Sequence, residues 1–443
     1  MDDKKYIVAL EIASSHIAGV VATVDDAASH DASVVCYHEV SIIDCVRYGC
    51  IVNVDEVCNK VNLLLQRITA DHRLGGRKIR SVYVALCARS LHTRSVEINR
   101  ALNESIPVTR EFINQISREA RNSVDNQEVV AVVPGLFEID GVEIANPVGA
   151  VGSQLHAVMN VITCRPQIRR NILMVFDRLG LKVNDFVVTP VATAQVLLSP
   201  EERKLGCVLV DHGAETTTVT IYKNDRLMYL NVLPMGSRNI TRDLVSLKIV
   251  EEQADKIKRN YGDAMSAGSD LAKLDISGVS SLDVSNYVTS RAGEMMENVY
   301  NQLQIAGFTP EQLPAGFVVV GRGMKLNRLP DLLQSISKMP VRMGKIKDIN
   351  EPMELAKVPQ LLSVVNEISG MSSLSSCLEM PMMKVPEDYV DIEPEDTTPI
   401  KPHDGKEEKQ KENKKSKPSI FERIINKIKD GVDQSFSEDG EQN

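Results

Sequence analysis

Three short segments place carboxyl, hydroxyl and glycine residues directly after apolar runs. The first is LEIASSHI, residues 10–17, in which Glu11 stands near the end of the run and Ser14 and Ser15 follow it. A tight turn of this kind can point backbone N–H groups at a phosphate, with the serine hydroxyls as further donors. Taken alone the segment is a weak signal, because strand-turn-strand hairpins with serines commonly bind nothing.

The second segment, LVDHGAETTTVTIY at residues 209–222, repeats this plan with Asp211 after the apolar run and Gly213 in the turn. Asp211 could hold a magnesium ion through water, since Mg²⁺ keeps several waters and takes only one or two carboxylates. The simpler alternative is an aspartate that caps its own turn. The segment alone favours that simpler alternative.

The third segment, FVVVGRGMKL at residues 317–326, runs from a buried strand into the turn Gly321-Arg322-Gly323 and then a helix. Glycines at such a turn let a flat ligand or a phosphate approach the backbone closely. A bare Gly-x-Gly is also frequent in loops that bind nothing.

The elements around these segments alternate between two periodicities. Short β-branched runs bounded by turn residues predict strands at YIVAL, IAGVVATV, SVYVAL, EVVAVV, AVMNVIT, CVLVD, TVTIY and FVVVG. Apolar residues that recur at three and four predict helices at VDEVCNKVNLLLQRITADHR, TREFINQISREARNSV, RPQIRRNILMVFDRLGL, IVEEQADKIKRNYG and VTSRAGEMMENVYNQLQIAG. This alternation indicates an α/β fold, and the strand-hairpin plan that starts again at Cys207 indicates an internal duplication.

Composition limits the classes of function. A chain of 443 residues with 43% hydrophobic and 25% charged residues predicts a globular protein of several structural units. Its net charge of −9 argues against nucleic acid as a partner. Its eight cysteines form no CxxC pair, which favours buried thiols in a reducing compartment. No run reaches the roughly 18–20 apolar residues that cross a bilayer.

The last sixty residues change character. Residues 376–417 are rich in Pro, acid and Lys and predict a disordered linker. Residues 418–436 then predict an amphipathic helix whose apolar face holds Ile420, Phe421, Ile424, Ile425, Ile428 and Val432. Nine basic against four acidic residues between positions 406 and 429, among them Arg423, Lys427 and Lys429, suit an anionic membrane surface. The alternative is a helix that docks on its own globular body or on a partner.

Together, in this order and spacing, the three segments resemble the phosphate-1, phosphate-2 and adenosine loops of the actin, sugar-kinase and DnaK superfamily. Within it, residues 5–370 and the final helix most resemble the FtsA family of bacterial cell-division proteins. The resemblance is carried further by SVYVAL at 81–86, QLHAVMNVITC at 154–164, IRRNILMVFDRLGLKV with its following PVATAQVLL, and ADKIKRNYG at 254–262.

The resemblance implies an α/β, actin-like ATPase fold with two duplicated halves around a nucleotide cleft and an FtsA-type 1C insertion. The implied subdomains are 1A at 1–86 and 165–204, 1C at 87–164, 2A at 205–240 and 314–348, 2B at 241–313, and a return to 1A at 349–375.

ATP and Mg are the cofactors that the resemblance implies. The implied cofactor-binding residues are Glu11, Ala13, Ser14, Ser15, His16, Asp211, Gly213, Ala214, Glu215, Thr216, Asp255, Lys258, Gly321, Arg322, Gly323 and Met324.

The loops depart from the family pattern. Ala13 stands where the family has glycine, His16 where lysine is common, Glu215 within a run of three glycines, and Arg322 where glycine is usual; Thr218 and Val320 also differ. A carboxylate at Glu215 that faced a triphosphate would repel it unless a cation lay between them, and His16 and Arg322 could compensate. An adapted site and a lapsed one both remain open, and binding is favoured. No general base stands out, so hydrolysis is expected to be slow or absent.

The resemblance further implies an adaptor that tethers FtsZ filaments to the cytoplasmic face of the bacterial inner membrane at the division site. Subdomain 2B would receive the C-terminal peptide of FtsZ, 1C would contact later division proteins, and protomers would assemble head to tail. One alternative is an enzyme of the superfamily, such as a sugar kinase or an active ATPase. The other is a related actin-like protein, such as MreB or the pilus-assembly protein PilM.

Overall fold

The computed structural model describes residues 4–25, 32–266, 278–346, 359–371 and 374–379. The predicted linker at 376–417 begins within these residues, where Leu378–Glu379 form a short strand that pairs with Lys78–Ile79. The rest of the linker and the predicted amphipathic helix at 418–436 lie outside the described residues. Within the described ranges, every helix is too short or too polar to span a membrane.

The described chain alternates strands and helices, as the α/β prediction requires. The strands are β1 Lys4–Ile12, β2 His16–Asp25, β3 Ala32–Ser41, β4 Val46–Arg47, β5 Cys50–Ile51, β6 Lys78–Ile79, β7 Ser81–Leu86, β8 His92–Ala101, β9 Glu128–Ile139, β10 Val142–Glu143, β11 Gln154–Cys164, β12 Lys182–Val188, β13 Cys207–His212, β14 Thr217–Lys223, β15 Arg226–Leu233, β16 Phe317–Val320, β17 Val341–Met343 and β18 Leu378–Glu379. The helices are α1 Val54–Thr69, α2 Arg110–Asn122, α3 Pro166–Arg178, α4 Thr189–Leu197, α5 Pro200–Leu205, α6 Ser237–Val245, α7 Glu251–Tyr261, α8 Ser281–Ile305, α9 Leu329–Ser337 and α10 Pro359–Ser369.

Two five-stranded arrangements follow one plan. In the first half the order is β12-β7-β1-β2-β3, with β1, β7 and β12 parallel and β2 antiparallel to both of its neighbours. In the second half the order β17-β16-β13-β14-β15 repeats the same directions. The predicted duplication is therefore confirmed.

An inserted layer separates β7 from β12 in the chain. Strands β8 to β11 pair in the order β10-β9-β11-β8, and β8 joins the second half's sheet beside β15 through the pair Asn231 and His92. With α2 this layer has its own core, formed by residues that include Ile98, Phe137 and Met159.

Burial explains why the central strands are continuous apolar runs. Along β13, Val208 and Val210 pack into one core, whereas Cys207 and Leu209 pack into the other. A parallel strand that is covered on both faces needs apolar residues at every position. The first polar group that β13 can offer is therefore Asp211, at its carboxyl end.

Helix α1 shows how local sequence sets an element. The side chain of Asn53 caps it by accepting a hydrogen bond from the Glu56 N–H, and its buried residues Val57, Val61, Leu64 and Ile68 recur at three and four. A capped helix with one apolar stripe packs that stripe on a sheet. Here it covers β2 and β3.

Candidate functional site

Two partly buried carboxyl groups stand at corresponding places in the two halves. Glu11 lies near the carboxyl end of β1 and Asp211 near that of β13. Burial, together with the charge of Asp211, raises the pKa of Glu11 to about 7. Burial also raises the pKa of Asp211 to about 6, although the Nε2 amide of Gln360 donates to its Oδ1 at 2.9 Å. An acid whose ionisation is opposed by burial and by a neighbouring acid favours a bound cation.

This pair fits the magnesium ion predicted at Asp211. Carboxylate oxygens are the ligands that Mg²⁺ takes, directly or through its waters. Asp211 would hold the ion and Glu11 would add its charge nearby. Bound there, the ion would neutralise phosphate oxygens.

The polar groups of the turn after β1 contact other groups of the protein. The Ala13 N–H donates to the His16 carbonyl at 3.0 Å, which closes the hairpin. The Ser14 hydroxyl accepts from the Gly49 N–H at 3.0 Å, and the Ser15 hydroxyl lies 3.1 Å from Nδ1 of His16. Burial lowers the pKa of His16 to about 4, so its imidazole is neutral at pH 7.

The turn between β13 and β14 is held by the first residues of α6. The Gly213 N–H donates to the Thr216 carbonyl at 2.8 Å. The Gly213 and Ala214 carbonyls in turn accept from the N–H groups of Ser237 and Arg238 at 3.0 and 2.8 Å. This turn is therefore fixed to the second half.

Glu215 points its carboxylate into a cluster of arginines that sequence reasoning missed. The side chain is fully buried, 3.2 Å from Nε of Arg47 and 3.6 Å from Nη1 of Arg238, and it also accepts from Arg242. The Tyr48 N–H adds a hydrogen bond of 2.8 Å. The repulsion expected between this carboxylate and a triphosphate is therefore already offset by three guanidinium groups rather than by His16 and Arg322.

The glycines of the Gly-x-Gly turn permit two close approaches. A Cβ atom at Gly321, whose φ is +96°, would lie 2.4 Å from the His212 carbonyl oxygen and 2.5 Å from Oδ1 of Asp211. One at Gly323 would lie 2.3 Å from Cδ2 of His212. The turn thus packs directly on the end of β13, and Met324 behind it is buried.

His212 is a second residue that sequence reasoning did not select. It is fully buried, and its Nδ1 lies 2.7 Å from the hydroxyl of Thr217, which donates to the Met235 carbonyl. No described residue offers a hydrogen bond to its Nε2. Burial lowers the pKa of this histidine to about 4, so it is neutral.

Arg322 spans the two halves. Its Nη2 lies 2.5 Å from Oε2 of Glu39 and 3.4 Å from the hydroxyl of Tyr37, both on β3. The Tyr37 hydroxyl also donates to Glu39. Burial opposes ionisation of Glu39, but the hydrogen bonds from Arg322 and Tyr37 outweigh it and lower the pKa to about 2.

The pair predicted on ADKIKRNYG lies in α7, and the structure ties it to α6. Nζ of Lys258 is 2.7 Å from Oδ1 of Asp255 and also donates to the hydroxyl of Thr241 at 2.7 Å and to the Ser237 carbonyl at 3.3 Å. The same first turn of α6 therefore contacts both Lys258 and the Gly213 turn. Their contact with an adenosine stays a prediction.

The structure brings the three loops to one place. The charges of Asp211 and Arg322 both act on Glu11, Nε2 of His16 lies 3.8 Å from Oε2 of Glu11, and Gly321 packs on Asp211. The proposed membrane residues, from Ile420 to Val432, lie outside the described residues.

Comparison with known proteins identifies relatives for most of the chain. The family model described as "Cell division protein FtsA" matches residues 208–366, and one described as "SHS2 domain inserted in FTSA" matches residues 89–163. The second range coincides with the inserted layer β8–β11.

Curated relatives agree with these matches. The cell division protein FtsA of Porphyromonas gingivalis is 31% identical over 357 residues, which cover 77% of this chain and 74% of that protein. The FtsA of Bacillus subtilis is 26% identical over 315 residues, covering 68% and 70%. Among solved structures, a PilM-PilN type IV pilus biogenesis complex is similar with a TM-score of 0.56 at 16% identity, covering 83% of this chain and 98% of that one. At that identity the likeness is one of fold.

Proposed function

The chain belongs to the FtsA family of cell-division proteins, and from this premise we propose that it tethers FtsZ filaments to the cytoplasmic face of the bacterial inner membrane. Its fold is the actin-like ATPase fold with the FtsA insertion, and it acts in cell division. The observation that carries the proposal is the inserted layer at residues 89–163, which matches the domain inserted in FtsA. The likeness to PilM, being one of fold alone, gives no reason to prefer a pilus function.

The membrane contact is proposed for residues 418–436. Six large apolar side chains on one face would bury surface worth about 10 kcal/mol gross, much of which partial insertion and helix ordering remove. A single copy should bind reversibly, and copies linked in a filament would bind tightly by avidity. We propose head-to-tail filaments for this reason.

Two substitutions with the same charge change test the anchor. Ile424→Glu places a charge on the apolar face, whereas Asn426→Glu places it on the polar face. Sedimentation with anionic liposomes should fall strongly for the first variant and slightly for the second, and truncation after Lys417 should abolish it. Equal retention of both variants and of the truncated chain would refute membrane binding through this segment.

The partner contacts are proposed from membership of the FtsA family. Residues 241–313, which include the end of α6 and all of α7 and α8, would form subdomain 2B and receive the C-terminal peptide of FtsZ. Residues 87–164 would form 1C and contact later division proteins. The test is recruitment of purified FtsZ of the same organism to liposomes that carry this protein. FtsZ without its C-terminal peptide should stay in solution, and its recruitment would count against the proposed contact.

ATP with Mg²⁺ is the proposed ligand of the cleft, with slow or absent hydrolysis. The support is the carboxyl pair Glu11 and Asp211 beside the Gly321 turn. A calorimetric titration with Mg-ATP should show saturable binding without sustained heat, and Asp211→Asn should weaken binding in Mg²⁺ far more than binding in EDTA. Absence of saturable heat would refute nucleotide binding, and steady heat would indicate an active ATPase.

A further inference from the structure

The charges that face the candidate cleft are unevenly distributed between its loops. Glu11, Asp211 and Glu39 are acidic, whereas Arg322 in the Gly-x-Gly turn is basic and pairs with Glu39. The charge of Arg322 also acts on Glu11. The Gly-x-Gly turn of the second half therefore brings a positive charge to a group of carboxylates.

The partner that Arg322 has in this structure is exchangeable. The side chains of Arg322 and Glu39 keep 39% and 37% of their surface exposed, so solutes reach both. Ion pairs this exposed are weak and change partners readily. The Tyr37 hydroxyl also donates to Glu39, so this carboxylate keeps a hydrogen bond when the arginine leaves.

The arginines that contact Glu215, which lies in the turn between β13 and β14, differ from Arg322 in this respect. Arg47, Arg238 and Arg242 surround Glu215, whose side chain is fully buried. A carboxylate without access to water holds its partners, because neither water nor a solute can replace it. Arg322 is thus the guanidinium that a ligand in the cleft can recruit.

We propose that Arg322, which pairs with Glu39 in this structure, leaves this glutamate and binds phosphate oxygens when a nucleotide occupies the cleft. A guanidinium matches two phosphate oxygens as well as two carboxylate oxygens, and a polyphosphate carries more charge than one glutamate. The inference rests on the proposed binding of ATP. It adds a residue at a position where the family pattern has glycine, and it makes Glu39 a competitor of the ligand.

The test is a double-mutant cycle measured by calorimetric titration with Mg-ATP. Glu39→Gln should tighten binding roughly tenfold by freeing the arginine, and Arg322→Ala should weaken it roughly tenfold, as expected for one charge-assisted contact. In the Arg322→Ala background Glu39→Gln should change nothing. Arg322→Lys should bind more tightly than Arg322→Ala but more weakly than the native chain, since lysine keeps the positive charge but lacks the paired N–H donors of a guanidinium.

Two controls separate phosphate recognition from a structural effect. Adenosine, which has no phosphate, should bind the Glu39→Gln variant and the native chain equally. Glu119→Gln makes the same charge change in the exposed pair with Arg100 on the inserted layer, and it should leave Mg-ATP affinity unchanged.

Each outcome decides the proposal. If the native chain binds Mg-ATP and Glu39→Gln does not tighten it, the inference is overturned while nucleotide binding stands. The inference is also overturned if Glu39→Gln tightens Mg-ATP binding in the Arg322→Ala background, or if it tightens the binding of adenosine. Binding by the Glu39→Gln variant alone would show that Mg-ATP cannot take Arg322 from Glu39, and it would overturn the inference together with ATP as the native ligand. Binding by no variant overturns both proposals.

Discussion

Replacing Glu215 with glutamine removes one charge from a contact that joins the two halves. The carboxylate connects Arg47 and the Tyr48 N–H of the first half to Arg238 and Arg242 of the second. Breaking a fully buried ion pair costs about 3–5 kcal/mol. Here the side chains of Arg47 and Arg242 are 37% and 31% exposed, so water solvates part of the charge left behind. We therefore expect a loss of about 2–3 kcal/mol in the free energy of unfolding.

Urea unfolding of purified protein measures this loss. The matched control is Glu251→Gln, which removes a carboxylate from the same Arg238 but one that is 46% exposed. An exposed pair contributes about 0–1 kcal/mol, so this control should stay close to the native protein. The double variant with Arg242→Gln should lose less than the sum of the two single changes, because the residues share one contact.

Two results would refute the reasoning. A loss for Glu215→Gln no larger than that for Glu251→Gln would show that burial adds nothing to this contact. Additive losses in the double variant would show that Glu215 and Arg242 act independently, despite their hydrogen bond.

Two further predictions concern the same loops. Burial raises the folded pKa of Glu11 from 4.5 to about 7, so its ionisation destabilises the native state progressively as pH rises through that window, and the penalty is complete above it. Glu11→Gln should therefore stabilise the protein without Mg²⁺ at pH 8, by at most about 3 kcal/mol, and make no difference near pH 4, as urea unfolding at the two pH values would show. Gly323→Ala should lower the melting temperature, because the new Cβ would lie 2.3 Å from Cδ2 of His212. The control Gly293→Ala, in the middle of α8 with nothing within 4 Å of its new Cβ, should raise the melting temperature slightly. Equal shifts for the two variants would contradict the packing argument.

Local signals predicted much of the fold. Three predicted strands are present as β1, β13 and β16, as expected from their β-branched residues and turn boundaries. Glu11, Asp211 and Gly321 stand at or near their carboxyl ends. The repeated strand-hairpin plan reflects a real duplication. These features depend on short-range periodicity and on turn chemistry, both of which the sequence displays directly.

Helix α10 was missed because it lacks such a signal. Within PQLLSVVNEIS, residues 361–365 are all buried, so no polar face alternates with an apolar one. A short segment that is buried at every position does not distinguish a helix from a strand. The omission matters, since Gln360 of this helix donates to Asp211.

Strand β9 shows the opposite failure, in which the sequence predicted a strand that was too short. The run EVVAVV ends at Pro134, which would interrupt a regular ladder. The strand continues to Ile139 because its pairing with β11 shifts register between Val158 and Met159, opposite this proline. An irregularity of this kind depends on the partner strand and leaves no local signal.

Contacts across the cleft could not be predicted, because their members are far apart in the chain. Arg322 and Glu39 are 283 positions apart, and Glu215 and Tyr48 are 167 apart. The resemblance implied only that Glu215 and Arg322 stand where glycine is expected, which left an adapted and a lapsed site as alternatives. Their partners become visible only once the two halves are folded together.

These partners show what Glu215 and Arg322 have in common. Glu215 and Arg322 each pair with a residue of the opposite half, Glu215 with Arg47 and Arg322 with Glu39. The two bridges differ in burial, and burial decides what a ligand can do to them. A nucleotide cannot displace the arginines from Glu215, since no water reaches that carboxylate, but it can compete for Arg322 at the exposed side. The buried bridge should therefore keep the halves together whether or not nucleotide is bound, and only the exposed bridge should respond to it.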